Sequence, residues 1–230
     1  MKISIIVPCY NEIFTISEII DQINKINIDK EIIIIDDFSN DGSREKIKND
    51  IKKKYDNIIL IFHDKNYGKG AAIRSGIEKV SGDIVIIQDA DLEYDPKDYY
   101  DLIKPIQDGY ADVVYGSRFT GSKPARKLYY FNRIANFALT FISNLLTNLD
   151  LTDMETCYKV FRYDVIKKIN IEENRFGFEP EITAKISKLN CKICEVGVSY
   201  YGRTYLEGKK ISWKDALPAL YCIFKYNIFR

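Results

Sequence analysis

Apolar and polar residues alternate along the first half of the chain in blocks that predict a repeating strand–helix order. Five short, almost purely apolar runs predict β-strands, and the stretches between them place apolar residues at helical spacing. The predicted strands span residues 2–8, 31–36, 58–63, 83–88 and 112–117, and the predicted helices span 13–27, 43–55, 70–80 and 96–107. Continuous apolar strands that alternate with helices are typical of a parallel sheet with both faces covered. We therefore expect an α/β fold with a mostly parallel central sheet flanked by helices.

The pattern changes after residue 117. Residues 128–149 form a long amphipathic stretch rich in aromatic side chains, which could lie against a membrane surface or simply pack on the core. The remaining segments predict a strand at 158–161, a helix at 179–189, a strand at 192–200 and a terminal helix at 213–229. Because neither a repeat nor a linker interrupts the chain, we expect one domain over residues 1–230, with halves 1–117 and 118–230.

The charge of the chain is divided unevenly between these halves. Residues 1–117 carry 15 basic and 22 acidic side chains, whereas residues 118–230 carry 19 and 11, so a net charge of +1 hides an acidic and a basic half. An acidic half can hold a metal ion, and a basic half can face phosphate or an anionic membrane. The 46% share of hydrophobic residues and the low glycine and proline content exclude disordered and fibrous classes.

Cysteine usage and the absence of targeting signals bear on the compartment. Of five cysteines, Cys191 and Cys194 form a single CxxC with no second pair and no nearby histidine, so a zinc site is not expected. We expect these thiols to be buried and reduced. The sequence starts directly at a strand, and no run of about 20 apolar residues occurs. The expectation is a cytoplasmic protein.

The stretch 83–93 carries the strongest chemical signal. An apolar strand runs directly into Asp89, Asp91 and Glu93, whose side chains point the same way if the backbone stays extended. Carboxylates grouped in this way repel one another without a cation, and hard oxygen ligands suit Mg²⁺ or Mn²⁺ bound to a diphosphate. A solvated acidic turn is the alternative. The glycine-rich residues 66–70 match neither a P-loop nor a dinucleotide-binding fingerprint, which disfavours those classes of nucleotide enzyme.

Five local patterns, in this order, resemble glycosyltransferase family 2. They are residues 7–12 (VPCYNE), 35–43 (IDDFSNDGS), 66–72 (NYGKGAA), 89–91 and 116–118 (GSR). The resemblance covers essentially the whole chain and is closest to the dolichyl- or polyprenyl-phosphate mannose synthase branch, in a short form without transmembrane helices. It implies a GT-A nucleotide-diphospho-sugar transferase fold with a C-terminal acceptor-side extension.

The same resemblance implies a role for each residue of the motifs. Asp91 would ligate the metal, and Glu93, where the mannose synthases often have glutamine, could ligate it too. Residues 200–210 resemble a flexible donor-binding loop whose basic residues reach the diphosphate. The donor-binding residues implied in this way are Pro8, Tyr10, Glu12, Ile35, Asp37, Asp89, Ala90, Asp91, Arg203 and Lys209. For Pro8 and Ile35, ordinary packing at a strand end remains the alternative.

For the catalytic step, the resemblance implies a single inverting displacement at the anomeric carbon. Arg118 would lie near the reaction centre, and Asp153 lies where the family often places its base, with Glu155 as the neighbouring alternative. The only histidine, His63, lies outside these motifs, and we interpret it as structural. An acceptor phosphate would lessen the need for a base, because the second pKa of a phosphate monoester is near 6 and the group is already a nucleophile at neutral pH.

Several functions are therefore open on the sequence alone. The favoured one is transfer of a hexose from a UDP- or GDP-sugar to a polyprenyl phosphate, with peripheral contact to a membrane and no nucleic acid partner. The alternatives are the same donor chemistry with a hydroxyl acceptor on a glycan, and a non-catalytic protein that binds nucleotide sugars. A sugar-1-phosphate nucleotidyltransferase is disfavoured because residues 8–12 lack the glycine-rich basic motif expected at the first strand end.

Overall fold

A computed structural model describes residues 1–126, 129–204, 207–208 and 216–229. The strands are β1 (Ile3–Cys9), β2 (Lys30–Asp36), β3 (Ile58–Phe62), β4 (Ile84–Ile87), β5 (Val113–Ser117), β6 (Ala125–Arg126), β7 (Lys159–Arg162), β8 (Ile193–Gly197) and β9 (Tyr200–Tyr201). The α-helices are α1 (Ile16–Lys25), α2 (Ser43–Lys46), α3 (Lys52–Lys54), α4 (Lys69–Ile77), α5 (Tyr99–Gln107), α6 (Tyr130–Thr147), α7 (Tyr163–Ile166), α8 (Phe178–Ser187) and α9 (Ala216–Phe224).

Seven of the strands form one sheet in the order β3-β2-β1-β4-β7-β5-β8. All neighbouring pairs are parallel except those of β7, which runs antiparallel to both β4 and β5. The expected mostly parallel sheet with flanking helices is confirmed. The sequence predicted the strand at 158–161 but not its place, because periodicity along one segment says nothing about its partners. As a result, a strand from the second half of the chain lies inside the sheet built by the first half.

The core consists mainly of the isoleucine-rich strands predicted from the sequence. In β2, every residue from Glu31 to Asp36 is buried, as are all four residues of β4. Helix α1 covers the sheet with Ile16, Ile19 and Ile23, which recur at helical spacing on its buried side. Burial of this much apolar surface is the main stabilising contribution to the fold.

Some predicted elements differ in detail. The helix expected over 43–55 is three consecutive pieces, with a π-helical turn at Ile47–Ile51 between α2 and α3. The strand expected over 192–200 is divided into β8 and β9, and β9 pairs with β6 in a separate two-stranded sheet. The terminal helix expected over 213–229 is described from Ala216, as α9 followed by a π-helical turn at Lys225–Phe229.

The cysteines and the helices also bear on the earlier expectations. All five cysteines are free thiols, as expected, but Cys191 and Cys194 are only partly buried, because they flank and lie on the edge strand β8. Among the described residues, no helix combines the length and the hydropathy needed to cross a bilayer.

Glu31 connects β2 to β1 and to the segment before β4, at the end of the sheet opposite the strands' carboxyl ends. Its carboxylate accepts hydrogen bonds from the Lys2 ammonium (2.7 Å) and from the Ser81 hydroxyl and backbone N–H (2.6 and 2.7 Å), and the Ser4 hydroxyl donates as well. Burial alone would raise the pKa of Glu31, but these hydrogen bonds outweigh it and hold the pKa at about 2.

We therefore expect Glu31→Gln to lower the free energy of unfolding at neutral pH by about 2 kcal/mol, because charge-assisted hydrogen bonds are lost. Since the folded pKa of Glu31 lies below its ordinary value of 4.5, its contribution is complete above that value and disappears as pH falls towards about 2. Urea denaturation across this pH range should show a shallower decline for the variant than for the wild type. Glu18→Gln, an exposed change on α1, is the control, and equal slopes for wild type and Glu31→Gln would contradict the prediction.

Candidate active site

A cavity of about 680 Å³ opens at the carboxyl ends of the parallel strands. Ligands of doubly wound sheets bind at this edge, and the volume suits a small organic ligand. Of the residues predicted to bind a donor or to act in catalysis, the following line the cavity: Pro8, Tyr10, Glu12, Asp37, Asp89, Ala90, Asp91, Glu93, Glu155, Arg118 and Arg203. Residues separated by up to 195 positions in sequence thus share one space.

Two predicted residues are placed elsewhere, and one lies outside the described part of the chain. Ile35 is fully buried within β2, so its side chain belongs to the core. Asp153 is fully buried behind Arg118 and is not part of the cavity wall. Lys209 falls outside the described residues, so its predicted contact with a diphosphate stays a prediction.

The side chain of Arg203 lies among the carboxylates that follow β1 and β4. Its Nη2 is 2.9 Å from Asp91 Oδ2 and its Nη1 is 3.2 Å from Glu12 Oε2. Glu93 accepts a hydrogen bond from the Arg203 backbone N–H at 2.8 Å and another from the Tyr200 hydroxyl at 2.9 Å. One guanidinium group is therefore the counter-charge for a cluster of acids, and it connects the 200–203 segment to the sheet edge.

The negative charge at this edge exceeds what Arg203 neutralises. Burial raises the pKa of Asp91 to about 7, with further contributions from Asp89 and Glu93 that the nearby Arg203 only partly offsets. Carboxylate oxygens are the donors that Mg²⁺ and Mn²⁺ prefer, so the donor set fits a divalent cation. Within the described ranges, no three acidic, histidine or cysteine residues form a ready-made cage. Asp91 and Glu93 would therefore hold such an ion together with oxygens of a ligand.

Asp37 holds the adjoining loop in place through contacts within the protein. Its carboxylate accepts hydrogen bonds from the backbone N–H groups of Tyr67 (2.9 Å) and Gly68 (2.7 Å) and lies 2.7 Å from His63 Nδ1. The other ring nitrogen of His63 is 3.0 Å from the Ser75 hydroxyl. His63 thus fixes Asp37, a structural role in agreement with the interpretation from the sequence.

Lys69 and Glu179 are functional candidates that the sequence did not reveal. Lys69 is the first residue of α4, and its ammonium group is 3.0 Å from Asp89 Oδ2 and 3.0 Å from Glu179 Oε1. Burial opposes the charge of Lys69, but these two carboxylates raise its pKa well above the usual value. Gly68 precedes it with a φ of +103°, a conformation that favours glycine. In the sequence, the one signal for this pair was that Lys69 is a basic residue within the glycine-rich stretch 66–70.

Glu155 lies close to this group in the cavity wall. Burial raises the pKa of Glu155 to about 8, with Glu179 as the next contributor. Its neighbour Lys159 is fully buried and donates to the backbone carbonyls of Met154 and Thr156. This part of the cavity wall therefore contains two carboxyl groups, Glu155 and Glu179, whose neighbouring lysines are already engaged.

Arg118 is oriented by Asp153. Asp153 Oδ2 accepts from Arg118 Nε at 2.7 Å and from its backbone N–H at 3.0 Å, while Oδ1 accepts from Nη2 at 2.7 Å. Asn136 of α6 contacts both residues at 3.3 Å. Because both oxygens of Asp153 are occupied by this bidentate pair, the carboxylate fixes the guanidinium at the cavity wall.

The cavity lining also includes apolar residues of α6 and α9, namely Ala135, Leu139, Ala216 and Ala219. The outer surface of α6 is also apolar, with exposed fractions of 82% for Phe131, 70% for Phe137 and 60% for Phe141. Such a concentration of exposed aromatic side chains marks an interaction surface rather than ordinary solvent-facing helix. The lining of the cavity thus combines charged side chains, Arg118 among them, with apolar residues from α6 and α9.

Comparison with known proteins shows the family of the chain. The family model described as glycosyl transferase family 2 matches residues 4–170. An uncharacterized protein of Methanocaldococcus jannaschii is 31% identical, with 99% of this chain and 93% of that protein aligned. A dolichol-phosphate mannosyltransferase of Pyrococcus furiosus is 30% identical over 99% of this chain, which spans 65% of the relative's length.

A solved structure supports the fold. Glucosyl-3-phosphoglycerate synthase from Mycobacterium tuberculosis, crystallised with Mn²⁺, uridine diphosphate and phosphoglyceric acid, superposes with a TM-score of 0.76 at 17% identity. The match covers 99% of this chain and 78% of that one. The GT-A fold and the family inferred from the five motifs are confirmed.

Because Arg203 occupies the acidic cluster, its removal should strengthen binding of a divalent cation. We expect Arg203→Ala to bind Mn²⁺ about tenfold more tightly without nucleotide, since the ion no longer competes with a guanidinium group. Titration of both proteins at the same pH, followed by electron paramagnetic resonance, measures this. Arg162→Ala, which removes an arginine paired with Asp112 and Asp164 away from the cavity, is the control. Unchanged or weaker binding by Arg203→Ala would count against the competition.

Proposed function

The chain belongs to glycosyl transferase family 2, and on this premise we propose that it transfers a hexose from a nucleotide-diphosphate sugar to a polyprenyl phosphate, with inversion at the anomeric carbon. One observation carries the choice of acceptor. The cavity lined by the fixed guanidinium of Arg118 is also lined by apolar residues of α6 and α9. A phosphate attached to a long apolar chain matches both kinds of lining.

The donor diphosphate is assigned to the acidic end of the cavity. Asp91 and Glu93 would hold Mg²⁺ or Mn²⁺, which when bound supplies Lewis-acid stabilisation to a departing diphosphate. Pro8, Tyr10 and Glu12 line the adjoining wall, where the nucleoside would lie. Asp37 supports this wall indirectly, because it anchors the backbone of Tyr67 and Gly68.

Arg203 is assigned to the leaving group. In the described arrangement its guanidinium pairs with Glu12 and Asp91. When a cation neutralises those acids, Arg203 becomes available for the diphosphate oxygens, on which negative charge develops as the glycosidic bond breaks. The backbone hydrogen bond to Glu93 keeps the residue within reach of the same edge.

The acceptor phosphate is assigned to Arg118. A planar guanidinium binds phosphate through parallel hydrogen bonds, and Asp153 holds it in one orientation. Asp153 is positioned poorly for a base, because both of its oxygens already accept hydrogen bonds from Arg118. A phosphate acceptor requires no base, since much of it is dianionic at neutral pH. Arg133, which also lines the cavity, adds a second positive charge nearby.

The lipid chain is assigned to the apolar lining that α6 and α9 contribute to the cavity, and to the exposed side of α6. Phe131, Phe137 and Phe141 would enter the boundary between lipid headgroups and acyl chains, with Arg126 and Arg133 close to anionic headgroups. In this way a membrane-bound acceptor would reach the chamber without leaving the bilayer.

Asp153→Asn tests the nature of the acceptor. With a polyprenyl phosphate we expect the acceptor KM to rise about tenfold, because an amide no longer pairs ionically with Arg118, while kcat at saturation is largely retained. With a hydroxyl acceptor and Asp153 as base, turnover would be lost at any acceptor concentration. The assay measures release of nucleoside diphosphate from UDP- and GDP-hexoses with Mn²⁺, with and without polyprenyl phosphate. Asp91→Ala gives the inactive baseline.

Asp164→Asn is the matched control for that experiment, because Asp164 also pairs with an arginine, Arg162, but at an exposed site outside the cavity. It should behave as wild type. Wild-type release that proceeds at the same rate without the lipid phosphate would overturn the proposed acceptor.

Membrane contact is tested by the double variant Phe137→Ser/Phe141→Ser. Burial of a phenylalanine side chain is worth about 1.5–3 kcal/mol, so we expect partitioning onto vesicles to fall by at least about tenfold. Sedimentation with vesicles containing phosphatidylglycerol measures the bound fraction. Tyr110→Ser, which removes an exposed aromatic at the opposite end of the sheet, should leave it unchanged. Equal binding by the double variant and the wild type would show that α6 is not the contact surface.

A further inference from the structure

One part of the cavity wall is used by neither the diphosphate nor the acceptor phosphate of the proposed reaction. It consists of Glu155 and Glu179, with Lys69 behind them, and we refer to it as the carboxyl wall. Glu179 is the second residue of α8 and Glu155 lies in the segment before β7. Both side chains therefore come from the second half of the chain.

The carboxyl wall contains buried oxygen atoms that have no hydrogen-bond partner among the described residues. Glu179 is only 5% exposed, and its Oε1 pairs with Lys69 while its Oε2 has no partner within the same part of the chain. The Oε1 atom of Glu155 is buried and unpartnered in the same way. Because a buried polar atom without a partner costs free energy, two such atoms on side chains that line one cavity point to a ligand that donates hydrogen bonds to them.

The surrounding charges restrict what this ligand can be. Lys69 is shared between Asp89 and Glu179, and Lys159 donates to two backbone carbonyls. No lysine of this group is thus left to bind an anion. The raised pKa of Glu155 means that this carboxyl group keeps a proton at neutral pH, so it can donate as well as accept. Hydroxyl groups, which also donate and accept, complement this wall.

The position of the carboxyl wall agrees with that chemistry. Lys69 connects Glu179 directly to Asp89, two residues before Asp91. On the other side, Arg118 and Asp153 are among the charges that act on Glu155. The wall therefore lies between the group assigned to the diphosphate and the group assigned to the acceptor, where a transferred sugar has to be.

We infer that Glu155 and Glu179 bind hydroxyl groups of the donor sugar and select a neutral hexose against a sugar acid. This inference rests on the proposed function. A neutral hexose offers hydroxyl donors to both unpartnered oxygens. A uronic acid would bring a carboxylate next to acceptor oxygens, with repulsion in a site of low dielectric constant and no free cation among these residues.

Calorimetric binding to the Mn²⁺-loaded protein tests this role without relying on turnover. The probes are UDP, UDP-glucose, UDP-glucuronate, GDP and GDP-mannose. For at least one base, we expect wild type to bind the neutral nucleotide hexose at least about tenfold more tightly than the diphosphate alone, and UDP-glucuronate no more tightly than UDP. Glu179→Gln and Glu155→Gln should each remove most of the additional affinity that the hexose provides over the diphosphate alone. Affinity for the diphosphate itself should stay within about twofold.

Glu181→Gln is the matched control, because Glu181 is a fully buried glutamate on the same helix that bonds to Lys185 and to the backbone N–H groups of Glu172 and Glu173 outside the cavity. This variant should still bind the nucleotide hexose more tightly than the diphosphate alone. A merely structural role for the carboxyl wall would weaken diphosphate and nucleotide hexose equally, and that result would overturn the inference, as would tight binding of UDP-glucuronate by wild type. If wild type bound no nucleotide at all, the proposed function itself would fail.

Discussion

The ion pairs of Lys69 are the interaction on which the arrangement of the cavity depends. This buried ammonium group lies between two carboxylates. Asp89 follows the central strand β4, and Glu179 is the second residue of α8 in the second half of the chain. Without it, two carboxylates would face each other in a desolvated space, and buried like charges are strongly unfavourable. Arg203 and Arg118 solve the same problem on either side, each beside its own acids. Three cations thus allow many acidic groups to share one chamber.

These cations also explain why each part of the cavity has a different chemistry. Arg203 is held by several acids at once, so it can exchange partners when another cation arrives. Arg118 is held bidentately by a single buried acid, so its direction is fixed. Lys69 is fully enclosed between two carboxylates, and it serves mainly to position them. The three cations therefore have different roles. Arg203 can change partners, Arg118 has a fixed orientation, and Lys69 neutralises two carboxylates.

The sequence predicted those features that depend on neighbouring residues. Isoleucine runs located the strands, and the position of Asp89 and Asp91 after one of them located the acidic edge, because strand ends of a parallel sheet meet there. The partners of these groups were not predictable. Lys69 and Glu179 are 110 positions apart, and no local pattern connects them. For Ile35 the family resemblance implied a contact with the donor and strand-end packing was the alternative; the fully buried side chain within β2 agrees with the alternative.

The antiparallel strand β7 imposes an order on how the chain assembles. Among the described strands, β5 pairs with β7 and β8, both of which follow it in the sequence, and β7 lies between it and the β3-β2-β1-β4 group. During synthesis, β5 therefore has no sheet partner until residue 162 has left the ribosome, and the outer edge of β4 stays open for the same interval. Strand pairs that are far apart in sequence form slowly. Until they form, the unpaired strand edges are exposed and prone to aggregation. The nascent chain is consequently most vulnerable to aggregation after its acidic half is complete and before its basic half closes the sheet.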